Sequence, residues 1–420
     1  MIGGLMKTTS YLAMAAAASL IIGGVTLAPK AARAADLGGD CCADLESRVA
    51  ELEATTVRKG NKKISVTLSG RVNANMLFWN DGAGFDTNTK PFGDSTDVYF
   101  GNNHGGSESN FNLSGSGKLS ADWTAGFYME IRNDFGVSAT ADQLTDQHGP
   151  QLSPQNMYVY LSSKRVGEIR LGRSGSASGD GYYVDYGAST LGGLSGGRNN
   201  GDFFLRDNTG ALTTTTYGGI TVESTDTGGV NRIWYATPNL GGIVGKIALG
   251  GDSETDASLT YHGKHGSVNL AAGVAWDDFR ELEGDYTNVG VSASIYEESS
   301  GLFFTGAWGQ QDDHKAATSN PNYWFIHGGW QKNVTGAGLT TVDAQYHRSN
   351  NGIGNDINSH NFGVGIDQAL DSVASNIYLR YQRHTLDTDV TGLKLQGGAP
   401  AAVTNTQSID SVIMGMIVRF

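Results

Sequence analysis

Three short patterns in this chain have the spacing of bond-making chemistry, and each lacks the residues that would complete it. Gly193-Leu194-Ser195-Gly196-Gly197 matches G-x-S-x-G, the turn that lifts a serine nucleophile off a strand, but no helical period follows it. His262 and His265 are spaced H-x-x-H on a stretch that reads as a tight turn, without a cysteine or acid to complete a metal set. Gly115-Ser116-Gly117-Lys118 lacks the first glycine and the closing hydroxyl residue of a phosphate-binding loop. No catalytic residue, metal site or cofactor is read from these residues.

The chemistry that remains is electrostatic. Arg71, Lys118, Arg132, Arg170, Arg232, Lys246 and Arg380 sit at polar positions of segments in which polar and apolar residues alternate. In a strand, alternation sends them all to the polar face. At about 3.3 Å per residue, Arg71, Arg132 and Arg380 stand near mid-height of their strands. Asp180, Asp185 and Asp202, with Tyr182 and Tyr183 between, lie in the longest connection, 174–228. Two uses of the bases are compatible with the pattern: a charged constriction, or simply a surface kept wet. The connection likewise has two readings, a loop folded inward with its acids facing the bases, or an external flap.

The elements that must hold these residues are strands. From Ile64 onward, Ile64, Val66, Leu68, Val72, Ala74, Met76 and Phe78 share one face, and Ser65, Thr67, Ser69, Arg71, Asn73 and Asn75 share the other. The same two-faced pattern recurs to the carboxyl terminus and predicts sixteen strands. The connections alternate long and short. Long ones fall near 80–109, 133–154, 174–228, 277–287, 310–322, 349–358 and 384–409, and tight turns such as "PNLGG", "HGKHG" and "EESSG" fall between. Alternating faces with sorted loop lengths are expected of an antiparallel transmembrane β-barrel, apolar toward lipid and polar toward a water-filled lumen. Charge facing lipid at mid-depth would cost about 2–4 kcal/mol, so the bases belong inside. Trp79, Trp123, Trp234, Tyr235, Trp276, Trp308, Tyr323, Trp324 and Trp330 fall near strand ends, where interfacial girdles belong. The terminal stripe of Met416, Val418 and Phe420 predicts a last strand that closes the sheet against the first.

Composition agrees. Of 420 residues 60 are Gly and 7 are Pro, a turn-rich, strand-rich usage. Lys7, the apolar stretch "AMAAAASLIIGGVTLA" and Ala32-Arg33-Ala34 read as a secretory signal over 1–34. Removing its Lys7, Lys30 and Arg33 from the 29 basic residues leaves 26 against 42 acids, a net charge of −16, which argues against nucleic acid as a partner. Residues 35–61 carry the only strong helical pattern: Cys42, Leu45, Val49 and Leu52 are spaced as a heptad seam. Two heptads make either a solvated linker helix or a short bundle between subunits. Cys41 and Cys42 are adjacent, so oxidation is expected to link subunits rather than the pair itself.

The stretch "ADLGGDCCADLESRVAELEATTVRKGNKKISVTLSGRVN", the motif "NRIWYATPNLGG" and the terminal phenylalanine resemble the alphaproteobacterial general (diffusion) porins. That resemblance implies a sixteen-stranded barrel over 62–420, a homotrimer, and passive passage of small hydrophilic solutes with no bond broken. It implies that the third loop enters the pore, with Asp180 and Asp185 opposite Arg71, Arg132, Arg170 and Arg380. It also implies recognition of the terminal residues by the barrel assembly machinery. Outer-membrane lipid and lipopolysaccharide are the expected surroundings, and contact with peptidoglycan through the N-terminal segment is a further expectation. A substrate-specific channel, or a structural barrel anchored to the cell wall, are the alternative functions.

Overall fold

The computed structural model describes residues 63–420 except 85–91, 102–106, 134–139, 146–151, 195–200, 224–228, 252–253, 280–284, 315–319, 353–355 and 404–406. The chain divides into two units, Met1–Thr67 and Leu68–Phe420, and the second holds all of the barrel but the start of its first strand. The expected heptad residues Leu45, Val49 and Leu52, with Cys41 and Cys42, lie outside the described residues.

Sixteen strands form one antiparallel barrel: β1 (Ser65–Asn80), β2 (Asn110–Lys118), β3 (Trp123–Asn133), β4 (Leu152–Ser163), β5 (Gly167–Ser174), β6 (Val230–Ala236), β7 (Ile243–Gly250), β8 (Thr255–His265), β9 (Val268–Phe279), β10 (Tyr286–Glu297), β11 (Leu302–Asp313), β12 (Asn322–Lys332), β13 (Thr340–Asn350), β14 (Ser359–Leu370), β15 (Ser375–Leu386) and β16 (Ser408–Arg419). Each pairs with its sequence neighbours, and β16 pairs with β1 from Arg71↔Arg419 to Asn80↔Asp410. Closure leaves no edge, so the ladder satisfies backbone groups that lipid could not.

Alternation sets the two faces. On β10, Val289, Val291 and Ile295 point outward and are exposed, while Asn288, Ser292 and Ser294 are buried inside. Trp276, Trp308 and Trp324 are exposed on the outer face, as a girdle requires. Trp79, Trp234 and Tyr323 are instead buried. Each is one residue out of step with an outward neighbour, so the period of two turns it into the barrel, and these three leave the expected girdle.

The stretch read as the connection 80–109 contains a short strand, Thr96–Gly101, that extends the line of β2 along β1 (Asn75↔Gly101 to Asn80↔Thr96). Where the two pieces part, the Asn73 N–H donates to Ser109 Oγ at 3.0 Å. That interruption turns Glu108 inward, to where the Arg71 Nε donates to its carbonyl at 2.8 Å.

An apolar core lies inside the barrel. Leu77, Trp79, Tyr378, Ile413 and Ile417 of the wall pack with Phe203, Leu205, Tyr217 and Ile220 of the 175–229 connection. Leu386, Val390 and Val403 complete it from the other end of β15. Two hairpins cap this core, Phe204–Arg206 with Leu212–Thr216, and Val390–Lys394 with Pro400–Val403. They meet at a bridge between Thr213 and Leu395.

The seam is built around a missing side chain. The Gly70 N–H donates to the Phe420 carbonyl at 2.9 Å, and the Phe420 N–H returns the bond at 3.0 Å. A Cβ on Gly70 would stand 2.4 Å from the Asn110 carbonyl and 2.7 Å from the Phe420 ring. Val418, Met416 and Phe420 are exposed on the outer face beside it. Gly70→Val is therefore expected to reduce the yield of closed barrel about as much as deletion of Phe420. Heat-modifiable mobility of membrane-extracted protein measures this; wild-type yield in both variants would contradict it.

Candidate functional site: the lumen and its loop

After a short helix at Gly179–Tyr182, residues 183–190 of the 175–229 connection run along the inner wall in an extended conformation. A loop in this position must find partners for its backbone, and inward-facing side chains supply them. The Ser178 N–H donates to Asp256 on β8 at 2.8 Å, Val184 to Ser292 on β10 at 3.1 Å, and Tyr186 to Ser294 at 3.1 Å. Ala188 then donates to Gln331 on β12 at 2.9 Å, Thr190 to Asp367 on β14 at 3.0 Å, and Gly193 to Gln345 on β13 at 2.9 Å. From 184 to 190 every second N–H is used, so the loop is moored like a strand laid across the wall from β8 to β14.

Asp185 is the carboxylate that the loop itself contributes to the mooring. Its carboxylate lies 2.7 Å from His327 Nδ1 and accepts from Thr305 Oγ1 at 2.6 Å and from the Tyr183 hydroxyl. His327 Nε2 stands 3.2 Å from Asp343, which accepts from Arg380 at 2.7 Å. Arg380 reaches Asp343 across β14 because Gly363 and Gly365 lie beneath its guanidinium; a Cβ on either would stand 2.8 Å from it. Burial alone would raise the Asp185 carboxyl, but the hydrogen bond and charge of His327, with the Thr305 and Tyr183 hydroxyls, hold it below the usual carboxylate range. Burial, then the nearby Asp185, pushes the Tyr183 hydroxyl well up, so it stays a donor.

The opposite wall, β2 to β7, is the wetter one. The side chains of Arg132 and Arg170 are 29% and 30% exposed, against 0% for His327 and Asp343. Four of the expected bases, Arg132, Arg170, Arg232 and Lys246, stand there with an acid at hand. Arg132 Nε donates to Glu130 at 3.1 Å and lies 3.6 Å from Glu108. Arg170 donates to Glu168 at 2.7 Å. Lys246 pairs with Asp180 of the loop. Arg71 stands level with Arg132, because Asn110 pairs with Arg132 and its carbonyl abuts Gly70. Arg232 is buried between Glu254 at 3.3 Å and Asp256 at 3.1 Å. Lys118 is exposed at the short-turn end of β2, and Asp202 is exposed in the loop.

The six residues expected to face one another thus divide. Arg132 and Arg170 line the exposed wall, with Arg71 beside them on β1 and Asp180 paired with Lys246. Arg380 and Asp185 belong to the buried mooring and meet only through His327 and Asp343. Glu130 and Glu168 do not stand out in the sequence, although each lies two residues from its arginine, the spacing that shares a face. His327 and Asp343 carry no local signal beyond an inward-facing parity.

A family model described as Gram-negative porin matches residues 13–389. This chain belongs to that family. The porin folds as other porins do: it superposes on the anion-selective porin from Comamonas acidovorans with a TM-score of 0.55 at 17% identity, covering 85% of this chain and 100% of that one. OmpT of Vibrio cholerae, in its trimer form, gives 0.55 at 13% identity over 86% and 100% of the two chains. The outer membrane channel DcaP of Acinetobacter baumannii gives 0.50 at 12% identity over 86% and 99%. No curated protein matches the porin in sequence. Family and fold together make it an outer-membrane channel for passive diffusion.

The Asp185 mooring gives this porin a signed response to acid. A carboxyl depressed in the folded state stabilises above its ordinary value, about 3.9, and that contribution is lost as pH falls through the folded value. Conductance is expected to become noisy below about pH 4, where the Asp185 contribution is lost. Asp185→Asn should flatten that response in single-channel recordings, and an identical acid response in the variant would contradict it.

Proposed function

We propose that the porin's conduit runs between the moored loop and the β2–β7 wall, and that this gap is the constriction. The observation that carries the reading is the loop's run of hydrogen bonds from β8 to β14, which leaves the ion-paired wall as the exposed one. Arg132 and Arg170, with Arg71 at the edge of this wall on β1, touch passing solutes. Asp180 borders them from the loop, and Arg380 with Asp185 sets the width by holding the loop back. Small hydrophilic solutes exchange hydration water for these fixed donors and acceptors, while apolar ones lose water without replacement. Most inner bases pair within the wall or with the loop, so the field across the gap is weaker than opposed rows of unpaired charge would set up. No bond is broken.

In this reading residues 1–34 direct export, and the long loops face the outside. Residues 35–61 lie in the periplasm, where they bear on trimer assembly and on peptidoglycan. Three copies assemble, as the trimer form of the Vibrio cholerae protein does. Lipid and lipopolysaccharide surround the barrel, and Met416, Val418 and Phe420 present the signal for its assembly. Replacing Arg71 and Arg132 by serine should move the reversal potential in a salt gradient toward cation selectivity. Replacing Glu108 and Glu130 by glutamine should move it toward anions. If neither pair moves it while both variants remain folded, the conduit lies elsewhere.

A further inference from the structure

The wall that the loop leaves uncovered carries aromatic rings as well as charge. Tyr128 on β3 and Tyr158 on β4 are direct ladder partners, with ring centroids 5.6 Å apart and planes tilted by 33°. On β5 the Arg170 guanidinium lies 4.8 Å from the Tyr158 centroid and 4.1 Å from that of Trp234 on β6. Three rings and one guanidinium therefore form a file across four neighbouring strands. Ion pairs frame it on two sides, Glu130 with Arg132 and Glu168 with Arg170. Glu130 is further held by Asn156 Nδ2 at 2.7 Å and Asn110 Nδ2 at 3.1 Å, so the frame is fixed in advance of any ligand.

The chemistry of this surface selects its ligand. The negative face of an aromatic ring attracts the axial C–H bonds on one face of a saturated ring laid flat on it. Ion pairs at either side offer fixed donors and acceptors to neighbouring hydroxyls. Each charge already has a standing partner, so a carboxylate or a cation must compete with that partner and gains less than it would from an unpaired charge. A flexible polyol has the hydroxyls but no flat face. We propose that Tyr128 and Tyr158, framed by Glu130–Arg132 and Glu168–Arg170, form a subsite for neutral cyclic saccharides on their way through the pore. The assignment rests on the reading of this gap as the open conduit.

Planar-bilayer recordings of the intact porin test it, with a glucose disaccharide, an acyclic hexitol and benzoate as probes at matched viscosity. The disaccharide should reduce the ion current saturably, with a half-blocking concentration about tenfold below that of the hexitol. The double variant Tyr128→Ser with Tyr158→Ser should lose that difference, and Tyr158→Phe, which keeps the ring, should retain it. Equal, non-saturating reductions by disaccharide and hexitol would overturn the subsite. So would stronger block by benzoate, or an unchanged difference in the double serine variant. A folded porin that passes no ion current at all would instead remove the conduit reading, and the subsite with it.

Discussion

Replacing His327 by leucine is expected to loosen the loop from its wall and widen the pore. His327 is fully buried between two carboxylates, Asp185 of the loop and Asp343 of β13. Without the imidazole, Asp185 keeps the Thr305 and Tyr183 hydroxyls and the Gly187 N–H but no cation, and Asp343 keeps Arg380 alone. Removing one partner of a buried charged group typically costs about 3–5 kcal/mol. If most of that falls on the mooring, the balance between docked and undocked loop shifts by about a hundredfold or more. The barrel's ladder does not pass through this side chain, so assembly survives. Conductance and the size limit for graded neutral polyols should both rise, and unchanged values of both would contradict the mooring. Gly365→Ala is an independent approach to the same network, since its Cβ would displace the Arg380 guanidinium without deleting any charge.

The second large effect is expected at Arg206→Met. Arg206 is buried at the long-loop end, where Nε donates to Asp81 at 2.7 Å. Its other nitrogens donate to the carbonyls of Phe92, of Gly210 at 2.9 Å, and of Asp94 at 2.5 Å. Its backbone N–H is capped by Gln407 at 2.8 Å, and Gln143 spans the Phe204 backbone beside it. One guanidinium thus ties segments after β1 to the inner loop. The variant leaves the Asp81 carboxylate buried without its cation, again a loss of about 3–5 kcal/mol, most of it local to the cap. Limited proteolysis of the loops and a lowered melting temperature are the readouts. Burial already raises the Asp81 carboxyl, with Arg206 opposing the rise. A raised carboxyl stabilises below its ordinary value and loses that contribution as pH increases through the folded one. The variant should therefore be least stable at high pH and recover as pH falls. Adding Asp81→Asn should restore part of the loss, a non-additivity expected of direct partners. A melting temperature independent of both pH and the second substitution would contradict this account.

Much of the barrel is legible in the sequence because its signal is local and repeated. Val289, Val291 and Ile295 against Asn288, Ser292 and Ser294 state which face is which, and the sorted connections supply the antiparallel order. The same parity, read strictly, turns Trp79 inward, since Val72, Ala74, Met76 and Phe78 face out; the tendency of aromatic residues to gather at strand ends points the other way and is the weaker guide here. Thr96–Gly101 is hidden because Val98 and Phe100 alternate over too few residues to stand apart from a loop. The wall's ion pairs are half legible: the arginines stand out against apolar neighbours, and the glutamates two places away do not. The mooring is legible only in Asp185 and Arg380, not in the His327 and Asp343 that join them. Asp185, His327, Asp343 and Arg380 are brought together only by the pairing of β12 to β15 and the inward fold of one connection, and no local period relates them.

A barrel dry along one half of its interior and wet along the other has two classes of inner residue. Ser292, Gln345 or Asp367 hold the loop, and a change at any of them is felt first as a defect of folding. Tyr158, Arg170 or Glu130 hold nothing of comparable extent, and a change there is felt as altered traffic. Lineages of this channel facing different nutrients could therefore diverge along β2 to β7 while β8 to β14 stayed fixed. The scaffold is in that sense already divided, strand by strand, into a part that must be inherited intact and a part open to adaptation.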